Sequence, residues 1–551
     1  MNLPEPHSRT FRVLMSDIEK GQVKIPQFQR DFVWDLKRSA RLLDSIIKSY
    51  PIGTFILWKT KERLRMVKNV GGFEFPEPDE GDFTELVLDG QQRLTTLFAA
   101  WKGEKVKKED GHVDDFGQMH IDLEAKEDEP IVVTDVTGKS PESLIKLRDL
   151  LNIRTAQFVR YPSEYHGKLD EYRDRITNYN FSLVSVKEAP LNVATEIFTR
   201  INTGGKELTL FEIMVAKTYD EKRDFDLATK FDELVEDLRI IGYETISDAT
   251  ILQTVAVILE GECTRNKILS LKKQYFIDTW EKAKDAIERA CEYFSGYYRI
   301  PVSGLLPYST LIVPFAYFFY KHPDRPIGNQ QKYLQDFFWR CSLSGRYSSG
   351  VESKLAQDVK RIDLILKDEL PKYEWGIDTS PVFIENNGWF STSRSYVKAI
   401  LCVYAYHEPK SFVDDSKVNI SNDYLKQANS KNYHHFFPKD FLKKKGETDF
   451  YINHILNITV VDDFLNKREI KSKAPSKYMK EFQKINPTLG ATMKTHLIGD
   501  LARYGVWDDD YDKFFVERAK AVGRELRRRL VKQAVDDKPQ PSLEDDTEPI
   551  A

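Results

Sequence analysis

The hydrophobic period of the chain changes at Asp89-Gly90, and that change dictates the architecture of its first part. Leu86, Val87 and Leu88 form a short apolar run such as a buried strand carries. Asp89-Gly90 is turn chemistry, and Leu94, Leu97, Phe98 and Trp101 then recur at helical steps. The spacing predicts strand, tight turn, helix. Gln91, Gln92 and Arg93 fall in the turn or first helical turn, where free backbone N–H groups and the helix dipole favour an anion. With Asp89 alongside, two amides, a guanidinium and a carboxylate suit a phosphate or a nucleotide. Nothing among them is a nucleophile, so the cluster binds and positions. A plain helix start with its polar residues in water fits the same pattern.

Two further stretches offer walls for such a pocket. In Ile25-Pro26-Gln27-Phe28-Gln29-Arg30-Asp31-Phe32-Val33-Trp34, Pro26 argues against a helix interior and the aromatics recur on even spacing. Arg30 beside Gln29 is a second place to hold phosphate, or a solvated arginine at the edge of an aromatic core. Near residue 209, Thr209 and Glu212 have capping-box spacing and start a helix. Gly204-Gly205 just before it permits a concave nest of backbone amides flanked by Arg200, Asn202 and Lys206. The pair serves equally as a simple turn between helices. It is not a phosphate-binding Walker loop, because no Gly-x-x-x-x-Gly-Lys-Ser/Thr occurs.

At 551 residues more than one hydrophobic core is expected, three or so units at about 100–200 residues per domain. Residues 36–49 read as an amphipathic helix and Ile52–Trp58 as a strand; short strands at Met119–Leu123 and Ile131–Thr134 sit within acidic surface elaborations. From 225 to 425, segments such as Phe225–Ile240, Ile251–Glu260, Thr279–Tyr297, Gln331–Ser342 and Lys354–Leu366 carry apolar residues at three- and four-residue steps, predicting an all-helical middle. Ser349 and Glu352 have capping-box spacing.

The C-terminal region places His434 and His435 side by side, then Asn457 within Ile455–Val461, then Asn466. Strand composition around Asn457 and a helix holding Asn466 suggest β, β, α around a metal. Such a site needs a neutral imidazole to take a proton from water and a hard divalent cation on few protein ligands. His435 serves as the base, His434 and Asn466 as metal ligands, and Asn457 holds the His435 loop through its amide. A surface histidine pair with unrelated asparagines is the plainer alternative. Residues 431–500 hold 13 Lys/Arg against 8 Asp/Glu in a chain of net charge −4. Lys439, Lys467, Arg468 and Lys473 are therefore candidate contacts to backbone phosphates, although a solvated basic face gives the same count.

Cys263, Cys291, Cys341 and Cys402 show no Cys-x-x-Cys spacing, so neither a disulfide framework nor a thiolate zinc site is indicated. The start lacks the regions of a signal peptide, and the best apolar run, Leu311–Tyr320, contains Pro314 and is too short for a bilayer. A soluble cytoplasmic protein without membrane contact is expected.

IPQFQRDFVW, LVLDGQQRLTTL and FTRINTGGKELTLFEI, in that order and spacing, resemble the ParB-like N-terminal domain of the GmrSD family of modification-dependent restriction enzymes. HHFFPK, LNITVV and FLNK, with Lys473-Ala474-Pro475-Ser476 beyond, resemble the HNH nuclease domain that closes GmrSD-like proteins; Leu456 stands where that family often has glycine. The resemblance implies an α+β multidomain protein. Its parts would be a ParB-like α/β nucleotide-binding domain over 8–224, an all-helical middle over 225–410, a ββα-metal HNH nuclease domain embedded in helices over 411–534, and a disordered acidic tail over 535–551. It implies that Asp89, Gln91, Gln92 and Arg93, with Arg30 and Asn202 as neighbours, hold an NTP, either GTP or ATP, with NTPase activity. It also implies Mg²⁺ or Mn²⁺ at the nuclease centre and double-stranded, modified DNA as substrate, in restriction of phage or other foreign DNA; a homo-oligomer is left open. The rival readings are a nucleotide-switched DNA-binding regulator with an inactive nuclease remnant, and a toxin-type RNase.

Overall fold

The computed structural model describes residues 3–26, 32–61, 66–68, 73, 75–76, 79, 81–108, 111–126, 128–153, 155–201, 209–422, 425, 433–461, 470, 472–541 and 543. The chain divides into two compact units, Met1–Leu227 and Ala228–Ala551. The helical middle and the His434-His435 region fall in the same unit.

The first unit is built on a six-stranded sheet. Its strands include β1 (Glu5–Thr10), β2 (Val23–Pro26), β3 (Phe55–Thr60), β4 (Met66–Lys68) and β5 (Thr84–Asp89), ordered β1, Asn180–Lys187, β3, β5, β2, β4. β5 runs antiparallel to β3 and parallel to β2. Thr84 to Leu88 are all buried, as a central strand covered on both faces requires. Burying Glu85 there is tolerable because Arg9 on β1 clasps its carboxylate with two hydrogen bonds of 2.6 and 2.8 Å. Helices α1 (Phe11–Glu19), α2 (Leu36–Ile47) and α3 (Gln91–Lys102) contribute to the core, and α3 is buried on nearly every side. The expected strands near 119–123 and 131–134 shorten to His120–Asp122 and Val132–Val133.

The second unit is mainly helical. Long amphipathic helices, among them Lys273–Gly296, Gly328–Leu343, Val351–Leu366 and Ser395–Tyr406, surround an aromatic core in which Phe294, Tyr298, Phe315 and Phe338 pack ring on ring. Pro314 falls in the first turn of Ile312–Lys321, where its missing N–H costs no helical bond. The Ser349–Glu352 capping box does not form: Gly350, at φ 59°, is the N-cap of Val351–Leu366. Arg346, Tyr347 and Arg361 instead converge on the buried Asp358. Among the described residues, no helix is long and apolar enough to cross a membrane.

The segment from Val535, expected to be disordered, is held through Pro541 and at Leu543. Ala534–Asp537 forms a 3₁₀ turn, and the Asp536 carboxylate makes two 2.7 Å bonds to Arg340, which is wholly buried. Further along, Gln540 accepts from Asp378 N–H and donates to the Leu343 carbonyl, and Leu543 N–H donates to Asn387 Oδ1. Acidic and proline-rich composition misleads here because the strap pairs its carboxylate with a buried arginine far away in sequence. Residues 542 and 544–551 lie outside the described residues.

Candidate functional site

The strand–turn–helix forms as its spacing predicts. β5 ends at Asp89, Gly90 takes φ 99°, and α3 begins at Gln91 with this glycine, which has no side chain, as its N-cap. A Cβ at Gly90 would lie 2.4 Å from Phe55 Cδ1, so both the backbone angle and the space demand glycine. The guanidinium of Arg93 turns inward: Nη1 donates to Ile52 O at 2.8 Å, and Nη2 donates to Thr54 O at 2.9 Å and to Asp89 Oδ2 at 3.1 Å. Gly53 approaches it so closely that a Cβ there would lie 2.6 Å from Nη1. Burial lowers the Arg93 pKa, opposed by the Asp89 charge. Arg93 thus pins the loop before β3 to the start of α3, where the sequence suggests a free phosphate grip. Gln92 is also buried, and its Oε1 accepts from Val33 N–H at 2.8 Å and Trp34 N–H at 3.3 Å. It anchors the chain entering α2. Gln91 is buried, while the Asp89 side chain is about a third exposed.

Arg30 and Asn202 lie outside the described residues, as do Gly204, Gly205 and Lys206. Arg200, at the end of Leu191–Ile201, is exposed and paired with Glu196 at 2.6 Å. The Thr209–Glu212 capping box is present, with bonds of 3.1 and 2.8 Å.

In the second unit, Tyr433–His435 and Ile458–Val460 form an antiparallel hairpin that sets His434 opposite Thr459 and His435 opposite Ile458. Asn457 is wholly buried. Its Oδ1 accepts from Phe437 N–H at 2.9 Å, and its amide donates to the Phe437 and Ile452 carbonyls at 3.0 Å each. The loop that follows His435 is therefore tied to the second strand through one amide side chain.

The tautomers of both histidines follow from their partners. Asn453 donates its amide nitrogen to Asp449 O at 3.1 Å, which turns Oδ1 toward His435; only His435 Nε2–H can supply the proton in their 3.2 Å contact. The lone pair of His435 is then on Nδ1. Burial, with the charge of Lys439, pushes the His435 pKa down to about 4, against the raising effect of Asn453. For His434, the Thr459 hydroxyl donates to the His434 carbonyl at 3.3 Å, so the ring Nδ1–H donates to that hydroxyl at 3.0 Å. Its Nε2 carries a lone pair and has no hydrogen-bond partner among the described residues. Burial, followed by His435, His496 and Arg518, lowers its pKa to about 3.

A neutral imidazole fixed by a hydrogen bond at its other nitrogen is the state a metal ligand needs. His434 also lies 2% exposed, with the rings of Phe412 and Tyr478 at 6.3 and 6.2 Å, which suits a core histidine equally. Among the described residues, no three His, Cys, Asp or Glu side chains converge as a metal site. Asn466, Lys467 and Arg468 lie outside them. Lys439 opens the short helix Lys439–Lys444 close enough to act on His435, whereas Lys473 pairs with Glu481. Asn453 is the partner of His435 that sequence reasoning missed. Its only sequence signal is that it is the one asparagine between His435 and Asn457.

Residues 11–219 match the family model described as GmrSD restriction endonuclease, N-terminal domain. That stretch lies within the first compact unit. Across 528 residues the chain is 24% identical to the uncharacterized protein MJ0686 of Methanocaldococcus jannaschii, covering 87% of each chain.

Proposed function

We propose that this chain is a restriction-type DNA endonuclease of the GmrSD kind, acting in the cytoplasm on foreign DNA, with a nuclease centre at His435 and a nucleotide-responsive first unit. The observation that carries the reading is the fixed tautomer of His435. Asn453 Oδ1 accepts a hydrogen bond from His435 Nε2–H, which leaves Nδ1 as the neutral base that removes a proton from water as that water attacks phosphorus. Lys439 supplies positive charge beside the base, and Asn457 keeps the two strands in register so that the base does not drift. His434 Nε2, with Asn466, would hold Mg²⁺ or Mn²⁺; the cation supplies charge stabilisation at the phosphate and the departing oxygen.

The match of residues 11–219 supports the DNA-restriction setting. In the first unit, the N-terminus of α3 and the partly exposed Asp89 make the nucleotide-facing surface in this reading. Gln92 and Arg93 hold that surface in shape, and Gln91, Arg30 and Asn202 complete it. GTP or ATP would bind there.

The test is cleavage of modified and unmodified phage DNA in Mg²⁺ or Mn²⁺, with and without each NTP, by the wild-type protein and by His435→Ala. Cutting that needs His435 and a divalent ion sustains the proposal. One observation favours a second reading: His434 is sealed from solvent, as in a nuclease remnant retained for DNA binding. Nucleotide-dependent DNA binding without cutting would select that reading, and cleavage of RNA alone would select a toxin-type RNase.

A further inference from the structure

Of the eight tryptophans, all of them described, only Trp389 is exposed, at 39%. It lies nearly parallel to Phe450, with 23° between the ring planes and 6.1 Å between centroids. Together they make a tilted aromatic ledge, and the chain fastens that ledge to residues 453–455, whose Asn453 contacts His435. Trp389 forms a β-bridge with His454; Phe390 N–H donates to Asn453 O, and Ile455 N–H donates to Gly388 O, each at 2.8 Å. Gly388 fits so tightly that a Cβ would lie 2.1 Å from His454 Nε2. Phe450 packs on His454 at 5.6 Å, and Phe390 meets Tyr433, two residues before His435, at 4.9 Å. The backbone bonded to Trp389 and its neighbours is thus the backbone of Asn453, whose side chain sets His435.

The lysines complement the ledge. Lys439, Lys443 and Lys444 are exposed and none is ion-paired among the described residues; all three lie on the short helix Lys439–Lys444, which opens four residues after His435. Unpaired cations clustered beside a general base favour phosphates, and an exposed indole favours the flat face of a base. A fully stacked duplex has no such face to offer. Only an unstacked nucleotide does.

We propose that Trp389, backed by Phe450, is a stacking platform for an unpaired base next to the phosphate presented to His435, so that single-stranded, bubbled or base-flipped DNA is the preferred substrate. This rests on the nuclease reading above and adds the substrate class to it. The experiment uses the full chain carrying His435→Ala, so that binding is read without cutting. Fluorescein-labelled single-stranded, bubbled and fully paired oligonucleotides of one sequence are titrated by anisotropy, with tryptophan quenching recorded in parallel.

Trp389→Ala should weaken binding to the single-stranded and bubbled probes by roughly 5- to 150-fold, and to the paired duplex by less than about 2-fold. Trp389→Phe should restore most of the loss. Trp389→Leu, which keeps apolar bulk but removes the ring, should not. In the His435-containing protein, Trp389→Ala should raise KM on the bubbled substrate by more than it lowers kcat, with the pH profile unmoved. Equal affinities in Trp389→Ala and its parent, an equal loss on the paired duplex, or full rescue by leucine would overturn the platform. If wild type cuts DNA while Trp389→Ala is indifferent, the platform fails and the nuclease stands. If Trp389-dependent binding is found in a protein that cuts nothing, the platform stands and the nuclease fails.

Discussion

Asn453 accepts the Nε2 proton of His435 at 3.2 Å while its own amide nitrogen is tied to the Asp449 carbonyl. The orientation of the His435 ring is therefore set on the opposite strand's approach, not on the strand that carries the histidine pair. An amide fixed on one side can present only oxygen on the other, and that choice decides which imidazole nitrogen is basic.

Replacing Asn453 tests that relationship. Asn453→Ala should reduce kcat by about 10- to 100-fold with KM little changed, as for other partners that orient a reacting group. Asn453→Asp should restore orientation and raise the His435 pKa, because a carboxylate stabilises imidazolium. The acid limb of the rate profile, expected near pH 4 in the wild type, should then move toward neutrality. A pH–rate series on the three proteins decides it; an unmoved limb in Asn453→Asp would show that His435 is not the titrating base.

Much of this was legible in the sequence where the physics is local. The Asp89-Gly90 turn, the helix from Gln91 and the Thr209–Glu212 box depend on residues within a few positions of each other, and all form. The loop-holding amide of Asn457 was also readable. Tertiary partners were not. Gln92 and Arg93 read as ligand groups because their types suit phosphate, but their oxygen and nitrogens satisfy backbone groups at 33–34 and 52–54. Asn453 looked like any loop asparagine until the hairpin brought it to His435.

Arg93 should prove structural before it proves ligand-binding. Arg93→Ala strands the Ile52 and Thr54 carbonyls and unpairs Asp89, so the first unit should lose about 2–4 kcal/mol, the range for breaking a partly buried charged network. Arg93→Lys should recover little, since one ammonium does not span the same fork. Urea unfolding followed through the first unit, with NTP titration of the same samples, separates the effects. Unchanged stability with lost NTP affinity would return Arg93 to direct phosphate contact.

Two further buried histidines, outside the hairpin strands, predict acid sensitivity. His454 donates to the Glu385 carbonyl and sits against Phe450 and Phe515; His496 donates to Lys410 O and sits against Phe412. Burial pushes both down to about 4, assisted at His496 by Arg518 and opposed in each by its carbonyl bond. Below the ordinary histidine value near 6.5, the unfolded chain binds the proton and the folded chain does not. Stability is therefore complete above about pH 6.5 and falls as the pH drops toward 4, by on the order of 1.4 kcal/mol per pH unit for each group. Urea midpoints between pH 7 and pH 4.5 measure this, and His496→Asn should flatten the slope. A slope unchanged in that variant would show that His496 does not titrate in this range.

The C-terminal strap supplies the last prediction. Arg340 is wholly buried and its charge is met by Asp336 on its own helix and by Asp536 on the strap, whose carboxylate also accepts from Ile377 N–H. Burial raises the Asp336 pKa to about 6 even beside Arg340, so Asp536 is the firmer counter-charge. Removing it leaves a buried cation short of a partner, at a cost of about 3–5 kcal/mol. The strap then runs on to Leu543, whose N–H donates to Asn387 Oδ1, one residue before the Gly388 carbonyl that receives Ile455 N–H. That path ends at Asn453 and His435. Asp536→Ala should thus lower the melting temperature of the second unit, whereas truncation after Pro541 should spare most of the stability and reduce kcat through a loosened Asn453. Calorimetry paired with turnover on one DNA substrate resolves the two; truncation that leaves kcat intact would show that the strap seals Arg340 and has no reach into the catalytic loop.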